Sequence, residues 1–281
     1  MRLASVGIKL AMALAVLAAG RLGEASSLEA RDDDTKYFFE AGDGDILNHY
    51  DRRFFKNQLS YDERADTLLH MVRAYLITFR KMGIETWIAH GTLLGWWWNG
   101  QMLPWDWDLD TQVSGATLDY LGDNLNYTTH NYVSEDKKVQ RQYFLDVNPW
   151  AIERTRGDGN NVIDARWIDV RNGLYIDITG LSETHPDIAP GIWSCKNYHR
   201  YKTTDLYPMR ESIFEGVPAL IPYNYDKILV EEYQHKAMSL THYEGHTWNA
   251  TLKHWAKDPE EEKKENNKRN RLGRRQAMPD F

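Results

Sequence analysis

The clearest periodic pattern in the sequence begins at residue 60. Ser60 and Glu63 have the S-x-x-E spacing of a capping box, in which two side chains satisfy backbone N–H groups at the start of a helix. Apolar residues then recur at intervals of three and four, at Leu68, Leu69, Val72, Tyr75, Leu76 and Phe79. This spacing places them on one helical face. We therefore predict an amphipathic helix that ends at Gly83.

Shorter runs after this helix predict alternating strands and helices. The segment Ile84–Ala89 is expected to be a short strand, and His90–Gly95 a turn that leads into three tryptophans. A further strand is expected over Trp107–Val113, and Ser114 is a good cap for the helix that follows. The apolar residues of that helix are Leu118, Leu121 and Leu125.

The second half of the chain has a strong hairpin pattern. The apolar segments Val162–Val170 and Leu174–Thr179 flank Asn172-Gly173, a dipeptide that favours tight hairpin turns. The segment Leu206–Ile221 contains prolines and is expected to be irregular, and Tyr223–Tyr233 has the spacing of a last amphipathic helix. The sequence thus predicts an α+β domain with a mixed sheet.

The start of the chain has the pattern of a secretory signal. Arg2 and Lys9 form a basic beginning, Leu10–Ala19 is an apolar run, and small residues follow up to residue 26. The run is shorter than the about 20 apolar residues that a membrane-spanning helix needs. We therefore predict a signal peptide over residues 1–26, with an uncleaved signal anchor as the alternative. Either one directs the protein to the secretory pathway, to the Golgi or ER lumen or outside the cell.

Composition divides the remainder into three parts. Residues 27–48 are polar and acidic, and we expect a flexible lead-in. Residues 49–256 contain the periodic segments and are predicted to form a single domain. Residues 257–281 are rich in charged side chains and are expected to be a disordered or helical tail.

Whole-chain composition narrows the classes of function. Of the 281 residues, 42% are hydrophobic and 27% charged, which is typical of globular proteins. Cys195 is the only cysteine, which excludes an intrachain disulfide and a cysteine-based zinc site. The formal net charge of −7 argues against general binding to nucleic acid, a polyanion, and is compatible with a site that needs a cation.

Three aspartates alternate with apolar residues after Pro104. Asp106, Asp108 and Asp110 occupy every second position, so on a strand they would share one face. Like charges this close repel one another unless a cation neutralises them, and hard oxygen ligands select Mg²⁺, Mn²⁺ or Ca²⁺. We predict a metal site here. A solvated strand face is the alternative interpretation.

A fourth carboxylate and a glycine turn complete the candidate site. Asp177 lies between two isoleucines on a predicted central strand, where an unpaired acid is costly. We predict that Asp177 is a metal ligand or a general base. The alternative interpretation is a partly exposed acid on an edge strand. Gly91 and Thr92 precede the acids, and a backbone turn with a hydroxyl group at a helix start suits a bound phosphate.

Two other groups of side chains are candidates for ligand contacts. Lys196, Arg200 and Lys202 form a basic cluster with His199 that could bind the phosphates of a cofactor or substrate, and a solvated loop is the alternative. Aromatic side chains could stack on a base or sugar, although core packing is the competing interpretation. These residues are Trp96, Trp97, Trp98, Trp105 and Trp107.

These motifs resemble those of a known family. A glycine–threonine turn, an acidic strand and a later strand acid, in that order, resemble the nucleotidyltransferase superfamily. The segments His90–Gly95, Leu103–Asp110 and Tyr175–Ile178 resemble the LicD family, which includes fukutin-related proteins. Phe214–Pro218 and Ile221–Asp226 resemble its closing segment. Within the family, the chain is most similar to fungal proteins required for mannosylphosphate transfer to cell-wall glycans.

The resemblance implies a nucleotidyltransferase-like fold, a mixed sheet flanked by helices, and a phosphotransferase activity. The donor would be GDP-mannose, CDP-ribitol or CDP-choline, with GDP-mannose indicated by the fungal members, and the acceptor would be a glycan hydroxyl. Asp108 and Asp110 would bind one or two Mg²⁺ or Mn²⁺ ions. Asp177 would bind the second ion or take the acceptor's proton, and Asp106 would share either role.

In the same scheme Gly91 and Thr92 would bind a phosphate.

Two functions other than phosphotransfer stay open. The fold could serve as a regulatory subunit that assists a partner glycosyl- or phosphotransferase without turnover of its own. A secreted Ca²⁺-dependent carbohydrate-binding protein would also use clustered acids but should ignore nucleotides. A glycosidase also needs two carboxylates, but the strict alternation and the preceding glycine turn fit it less well.

Overall fold

The computed structural model describes residues 36–39, 46–157 and 159–263. The predicted signal peptide, most of the lead-in and the tail from residue 264 lie outside these residues. One compact unit begins at Tyr37. Within the described residues, no helix has both the length and the apolar character that crossing a membrane requires.

The first long helix, α1 (Tyr61–Met82), confirms the expected capping box. The Ser60 hydroxyl accepts a hydrogen bond from the backbone N–H of Glu63, and the Ser60 N–H donates to the Glu63 carboxylate at 2.9 Å. The helix ends at Gly83, whose left-handed backbone (φ 69°) suits a residue without Cβ. Its apolar face, which includes Tyr75, is buried against the sheet.

A six-stranded mixed sheet forms the centre of the domain and confirms the α+β class. Its strands are β1 (Trp87–Ile88), β2 (Leu109–Ser114), β3 (Thr128–Val133), β4 (Gln140–Val147), β5 (Ala165–Asp169) and β6 (Tyr175–Leu181). They lie in the order β1-β2-β6-β5-β4-β3. Strands β2 and β6 are parallel, and the other neighbours are antiparallel. Strands β5 and β6, which are buried along their whole length, are the predicted hairpin.

The turn of that hairpin depends on one glycine. Gly173 has φ 89°, and a Cβ there would lie 2.7 Å from the backbone oxygen of Asp51. The backbone bond from Asp169 N–H to the Leu174 oxygen closes a longer loop than a two-residue turn. As a result, β5 and β6 pair with Arg166 opposite Asp177.

Two helices flank β2. Helix α2 (His90–Asn99) replaces the predicted turn, and α3 (Gly115–Asn124) begins after the expected Ser114 cap. Glycines and tryptophans are weak helix formers, so propensity alone disfavoured α2. Tertiary packing decides the outcome: Leu93 is fully buried, and a Cβ on Gly95 would lie 2.5 Å from the Gln101 backbone oxygen.

The acidic segment departs from the predicted continuous strand. Strand β2 begins at Leu109, so Asp110 is on the strand while Asp106 and Asp108 precede it in a loop. A turn at Pro104 causes the difference, because the Asp106 N–H bonds to the Leu103 oxygen at 3.1 Å instead of to a neighbouring strand. The predicted strand over Ile84–Ala89 is likewise shorter, because only Trp87–Ile88 pairs with β2.

The later part of the chain has more regular structure than expected. Its elements are β7 (Ile192–Ser194), β8 (Arg200–Lys202), α4 (Thr203–Leu206), β9 (Arg210–Phe214), β10 (Val217–Ile221), α5 (Tyr225–Ala237), β11 (His242–Tyr243), β12 (His246–Asn249) and β13 (His254–Lys257). The prediction of an irregular segment before α5 was wrong, since β9 and β10 form a hairpin. Pro218 is tolerated there because this sheet has only two strands, both edges.

The described part of the lead-in packs against the domain. Phe38 is buried against Val162 and Ile163, and the Tyr37 N–H donates to the Asn161 side chain at 2.9 Å. A 3-10 helix over Ile46–His49 follows. These contacts place the domain's first packed residues before residue 49, the boundary expected from composition.

Candidate active site

Five of the predicted site residues line one cavity of about 870 Å³. Gly91 and Thr92 belong to the first turn of α2, and Asp106, Asp108 and Asp110 come from the loop before β2 and from β2 itself. The cavity therefore contains the acids and the glycine turn together, although the acids do not share one strand.

The start of α2 lines this cavity, and the first N–H groups of a helix have no partner within the helix. Ala89 occupies the N-cap position and offers no side-chain acceptor to the first turn. The Thr92 hydroxyl accepts a hydrogen bond from the Asp110 N–H at 2.8 Å, which ties α2 to β2 and leaves the hydroxyl hydrogen as a donor. A Cβ at Gly91 would lie 3.5 Å from Asp106 Oδ2. A helix start of this kind is an anion-binding feature.

The fourth acid lies next to the cavity on the adjoining strand. Asp177 of β6 is the register partner of Asp110 on the parallel strand β2, and neighbouring strands lie about 4.8 Å apart. Side chains at paired positions of adjacent strands point to the same face. Asp177 is 6% exposed, and its Oδ1 accepts from Arg166 Nε at 2.6 Å. One oxygen of Asp177 is thus committed to Arg166.

Burial and mutual repulsion raise the pKa values of these acids. Burial, followed by the charges of neighbouring carboxylates, raises the pKa of Asp110 to about 8, although His90 opposes the shift. Burial and the charges of Asp108 and Asp110 raise the pKa of Asp106 well above its usual value. Burial also raises the pKa of Asp177 despite the charge of Arg166. A bound cation would relieve this repulsion.

Arg166 was not expected from the sequence. Its guanidinium lies 3.6 Å from the centroid of the Tyr175 ring and also donates to the Phe39 backbone oxygen at 2.9 Å. It is almost fully buried, and its charge favours the ionised form of Asp177 and of Asp108. The arginine therefore compensates part of the negative charge within the protein.

The structure does not bring the predicted basic cluster into the cavity. Lys196 is buried, with its ammonium group 2.8 Å from Asp164 and bonded to the Trp150 backbone oxygen, so it has a structural role. Arg200 and Lys202 are exposed on β8, and Arg200 lines a separate cavity of about 400 Å³. The expectation that these three side chains bind the same phosphates was therefore wrong, because Lys196 is buried and β8 lies away from the cavity with the acids.

The predicted tryptophans divide into two groups. Trp98, Trp105 and Trp107 line the cavity with the acids. Trp96 instead donates its indole N–H to Ser212 at 2.8 Å, and Trp97 donates to Asp226 at 3.1 Å. Stacking on a ligand therefore stays a prediction for the first group, and the second group has structural hydrogen bonds.

The opposite wall of the cavity comes from α5 and the strands that follow it. Tyr233, Lys236, Leu240, Tyr243 and Trp255 contribute to it, and Lys236 brings a positive charge. The sequence offered no local motif for these residues, because their proximity to the acids depends on how the chain folds back after Ile221.

A residue before α1 also reaches the acids. His49 lines the cavity, and its Nδ1 lies 3.7 Å from Asp108 Oδ2. It follows the expected lead-in directly, where nothing in the local pattern indicated a functional side chain.

The fold and this site define a nucleotidyltransferase-type domain, and comparison with known families agrees. Residues 83–224 match the family described as LicD/FKTN/FKRP, nucleotidyltransferase domain. This match covers just over half of the 281 residues, and the chain belongs to that family. The matched residues include all four acids and the start of α2, but the match ends before α5.

Two relatives from Saccharomyces cerevisiae are similar over a comparable stretch. The chain is 38% identical over 157 residues to "Mannosyltransferase regulator 4" and 37% identical over 156 residues to "Mannosyltransferase regulator 14". These matches cover 53% and 52% of this chain but only 13% and 16% of the two relatives. The chain thus corresponds to a small part of each.

Proposed function

We propose that this protein is a metal-dependent phosphotransferase of the secretory pathway that moves mannose phosphate from GDP-mannose to a glycan hydroxyl. The observation that carries the proposal is the convergence of Asp106, Asp108, Asp110 and Asp177 beside the uncapped start of α2. A diphosphate donor brings further negative charge to a site that is already acidic. It therefore needs the acids to hold a cation and the helix start to bind a phosphate group.

The chemistry of the donor set fits a hard divalent cation. Asp108 and Asp110 line the cavity, and the remaining oxygen of Asp177 is beside Asp110. Carboxylate oxygens of this kind suit Mg²⁺ or Mn²⁺, which usually bind through a few carboxylates and the substrate's phosphates. When bound, such an ion would neutralise the diphosphate and the leaving phosphate.

The protein's own residues would bind and orient the reactants. The N–H groups at Gly91 and Thr92 would hold a phosphate oxygen of the donor. The acceptor hydroxyl oxygen would form a bond to the phosphorus that carries mannose, and the bond to the other phosphate would break, releasing GMP. Asp106, at the cavity wall, would take the proton of the acceptor hydroxyl. Asp177, enclosed by Arg166, suits ligand binding better than proton transfer.

A regulatory role is a second candidate, because both yeast relatives are named mannosyltransferase regulators. In that case the domain would bind donor and metal ion and present them to, or sense them for, a partner glycosyl- or phosphotransferase. The same four acids would then serve binding without turnover.

Binding and turnover separate the candidates. Thermal unfolding with Mn²⁺ and GDP-mannose, alone and together, should show a joint stabilisation that is lost in Asp108→Asn/Asp110→Asn, and GMP should appear when a mannan acceptor is added. Binding at a hundredfold excess over Kd contributes about 2.7 kcal/mol. Stabilisation without GMP release would favour the regulatory role. No response to GDP-mannose or to CDP-linked donors would contradict both.

A further inference from the structure

Tyr233 of α5 reaches across the cavity to the start of α2. Its hydroxyl oxygen lies 4.0 Å from the position that a Cβ on Gly91 would occupy, and Asp106 Oδ2 lies 3.5 Å from that same position. The hydroxyl is therefore beside the backbone turn to which we assign phosphate binding, although Tyr233 lies beyond the residues that match the family.

The Tyr233 hydroxyl has no hydrogen-bond partner in the part of the chain that the structure describes, whereas several other enclosed tyrosines do. Tyr75 bonds to two threonines, Tyr175 donates to the Asn48 backbone oxygen at 2.7 Å and Tyr207 donates to Glu85 at 2.6 Å. Burial raises the pKa of Tyr233, and the charges of Asp110 and other nearby carboxylates raise it further. The phenol thus stays protonated, with an unused O–H group facing the cavity.

The residue before Tyr233 fixes this part of α5 through a directional network. The indole N–H of Trp87 donates to Gln112 Oε1 at 3.0 Å, so the amide nitrogen of Gln112 must face His90 Nε2 and the Tyr201 hydroxyl. Tyr201 then donates to Glu232 Oε1 at 2.6 Å, and His90 Nδ1 donates to Glu232 Oε2 at 2.9 Å. Glu232 is thereby bonded at both oxygens.

This network is an anchor and not a metal centre. His90, His199 and Glu232 do offer ligand atoms within 4.8 Å of one another. However, His90 Nδ1 carries a hydrogen toward Glu232 in both the neutral and the protonated imidazole, and Nε2 faces the amide N–H of Gln112. Neither nitrogen of His90 directs a lone pair into the group. A metal ion here would require an imidazolate or a broken Trp87–Gln112 bond.

We propose that Tyr233 is a substrate-binding residue that donates a hydrogen bond to a phosphoryl oxygen bound at Gly91, and that Glu232 positions it. This inference rests on the proposed function for the identity of the phosphoryl group. It adds a neutral donor to a pocket in which carboxylates predominate. Such a donor tolerates the acids and still stabilises an anionic oxygen.

The test replaces the hydroxyl alone. In Tyr233→Phe, calorimetric titration in the presence of Mn²⁺ should show about 10-fold to 100-fold weaker binding of both GDP-mannose and inorganic pyrophosphate, as expected for losing a hydrogen bond to a charged group. Tyr120→Phe, an exposed tyrosine on α3 outside the cavity, is the matched control and should bind both probes as the wild type does.

The two probes separate this inference from the proposed function. If the wild type binds pyrophosphate but releases no GMP, and Tyr233→Phe weakens pyrophosphate binding, the inference holds while catalysis does not. If Tyr233→Phe binds both probes as tightly as the wild type, the role of Tyr233 is refuted. Failure of the wild type to bind either probe contradicts both.

The positioning role of Glu232 has its own readout. Glu232→Gln should weaken pyrophosphate binding in the wild-type background and have no further effect in Tyr233→Phe, because both changes act through one hydroxyl. Tyr201→Phe removes the bond to Glu232 Oε1 and the weaker one from Gln112 Nε2, leaves the His90–Glu232 bond in place, and provides a second, milder variant. Equal weakening in both backgrounds would show that Glu232 acts independently of Tyr233.

Discussion

Asp110 and Asp177 are register partners on the adjacent parallel strands β2 and β6. They are 67 residues apart in sequence (177 − 110), so the sheet alone brings them together. Parallel pairing directs both carboxylates to the same face, where Asp108 joins them at the end of the preceding loop. The site is therefore assembled at the point where β2 enters the sheet, and its acids stay close before any ligand binds.

Neutralising Asp110 should stabilise the protein when no metal ion is bound. Its pKa of about 8 exceeds the ordinary 3.8, so the folded protein binds a proton that the unfolded chain releases between those values. Wild-type stability should therefore fall as the pH rises through this window. Urea unfolding in EDTA at about pH 8.5 should show Asp110→Asn to be more stable by about 1 kcal/mol or more, with a smaller difference at about pH 5.5.

Asp119→Asn is the control for this comparison, since that carboxylate is exposed on α3. A surface change of this kind should shift stability by less than about 0.5 kcal/mol at either pH. If Asp110→Asn were less stable than the wild type at high pH, Asp110 would have a stabilising partner that the account does not include.

The affinity for a metal ion should rise with pH, whereas the stability of the metal-free protein should fall. Because its pKa is raised to about 8, Asp110 holds a proton at neutral pH, and an incoming Mn²⁺ ion must displace that proton. Affinity should rise with pH, and calorimetry in buffers of different ionisation enthalpy should detect proton release. An affinity that is the same on both sides of neutrality, with no proton release, would place the metal site elsewhere.

Removing Arg166 should be strongly destabilising. The guanidinium is almost fully buried and bonded to Asp177, so Arg166→Met would leave an uncompensated buried carboxylate. Breaking one partner of a buried pair costs about 3–5 kcal/mol. In urea unfolding, Arg166→Met/Asp177→Asn should recover much of that loss. An additive double variant would show that the two side chains do not depend on each other.

Gly91→Ala should separate binding from stability. The added methyl would meet Asp106 at 3.5 Å, an ordinary contact, so the fold should remain as stable as before. The same methyl would block the approach of a phosphate oxygen to the helix start. The affinity for GDP-mannose should therefore fall at least about tenfold, which corresponds to about 1.4 kcal/mol of binding free energy. Gly122→Ala on α3, where a Cβ would meet only Val147 at 3.8 Å, is the matched control. Unchanged affinity in Gly91→Ala would remove phosphate binding from this turn.

Local signals allowed part of this architecture to be predicted. The capping box of α1, the Ser114 cap and the hairpin at Asn172-Gly173 each depend on a few residues, and all three are confirmed, although the hairpin closes through a longer loop than a two-residue turn. The convergence of the acids was also expected, though for the wrong geometric reason. Their alternation suggested one strand, whereas a turn at Pro104 places two of them in a loop that reaches the same cavity.

Other features depended on long-range packing that no local pattern contained. Helix α2 forms although its residues are poor helix formers, because the tertiary contacts of its buried face offset their low helix propensity. A two-residue turn at Asn172-Gly173 would have paired Ile168 with Asp177, and the longer loop instead brings Arg166 opposite that acid. Tyr233 is near Gly91 only because α5 folds back over α2. The sequence therefore indicated the acids, the glycine turn and three of the tryptophans that line the cavity, but not His49, Arg166 or Tyr233.

The most direct test of the account is ³¹P NMR of the full chain with GDP-mannose, Mg²⁺ and a mannan oligosaccharide. The phosphotransferase account predicts that the diphosphate resonances decline while GMP and a new phosphodiester appear together, and that Asp108→Asn/Asp110→Asn, with its fold confirmed by circular dichroism, forms neither. Persistence of GDP-mannose with the wild-type protein, under conditions in which binding has been demonstrated, would contradict catalysis by this chain.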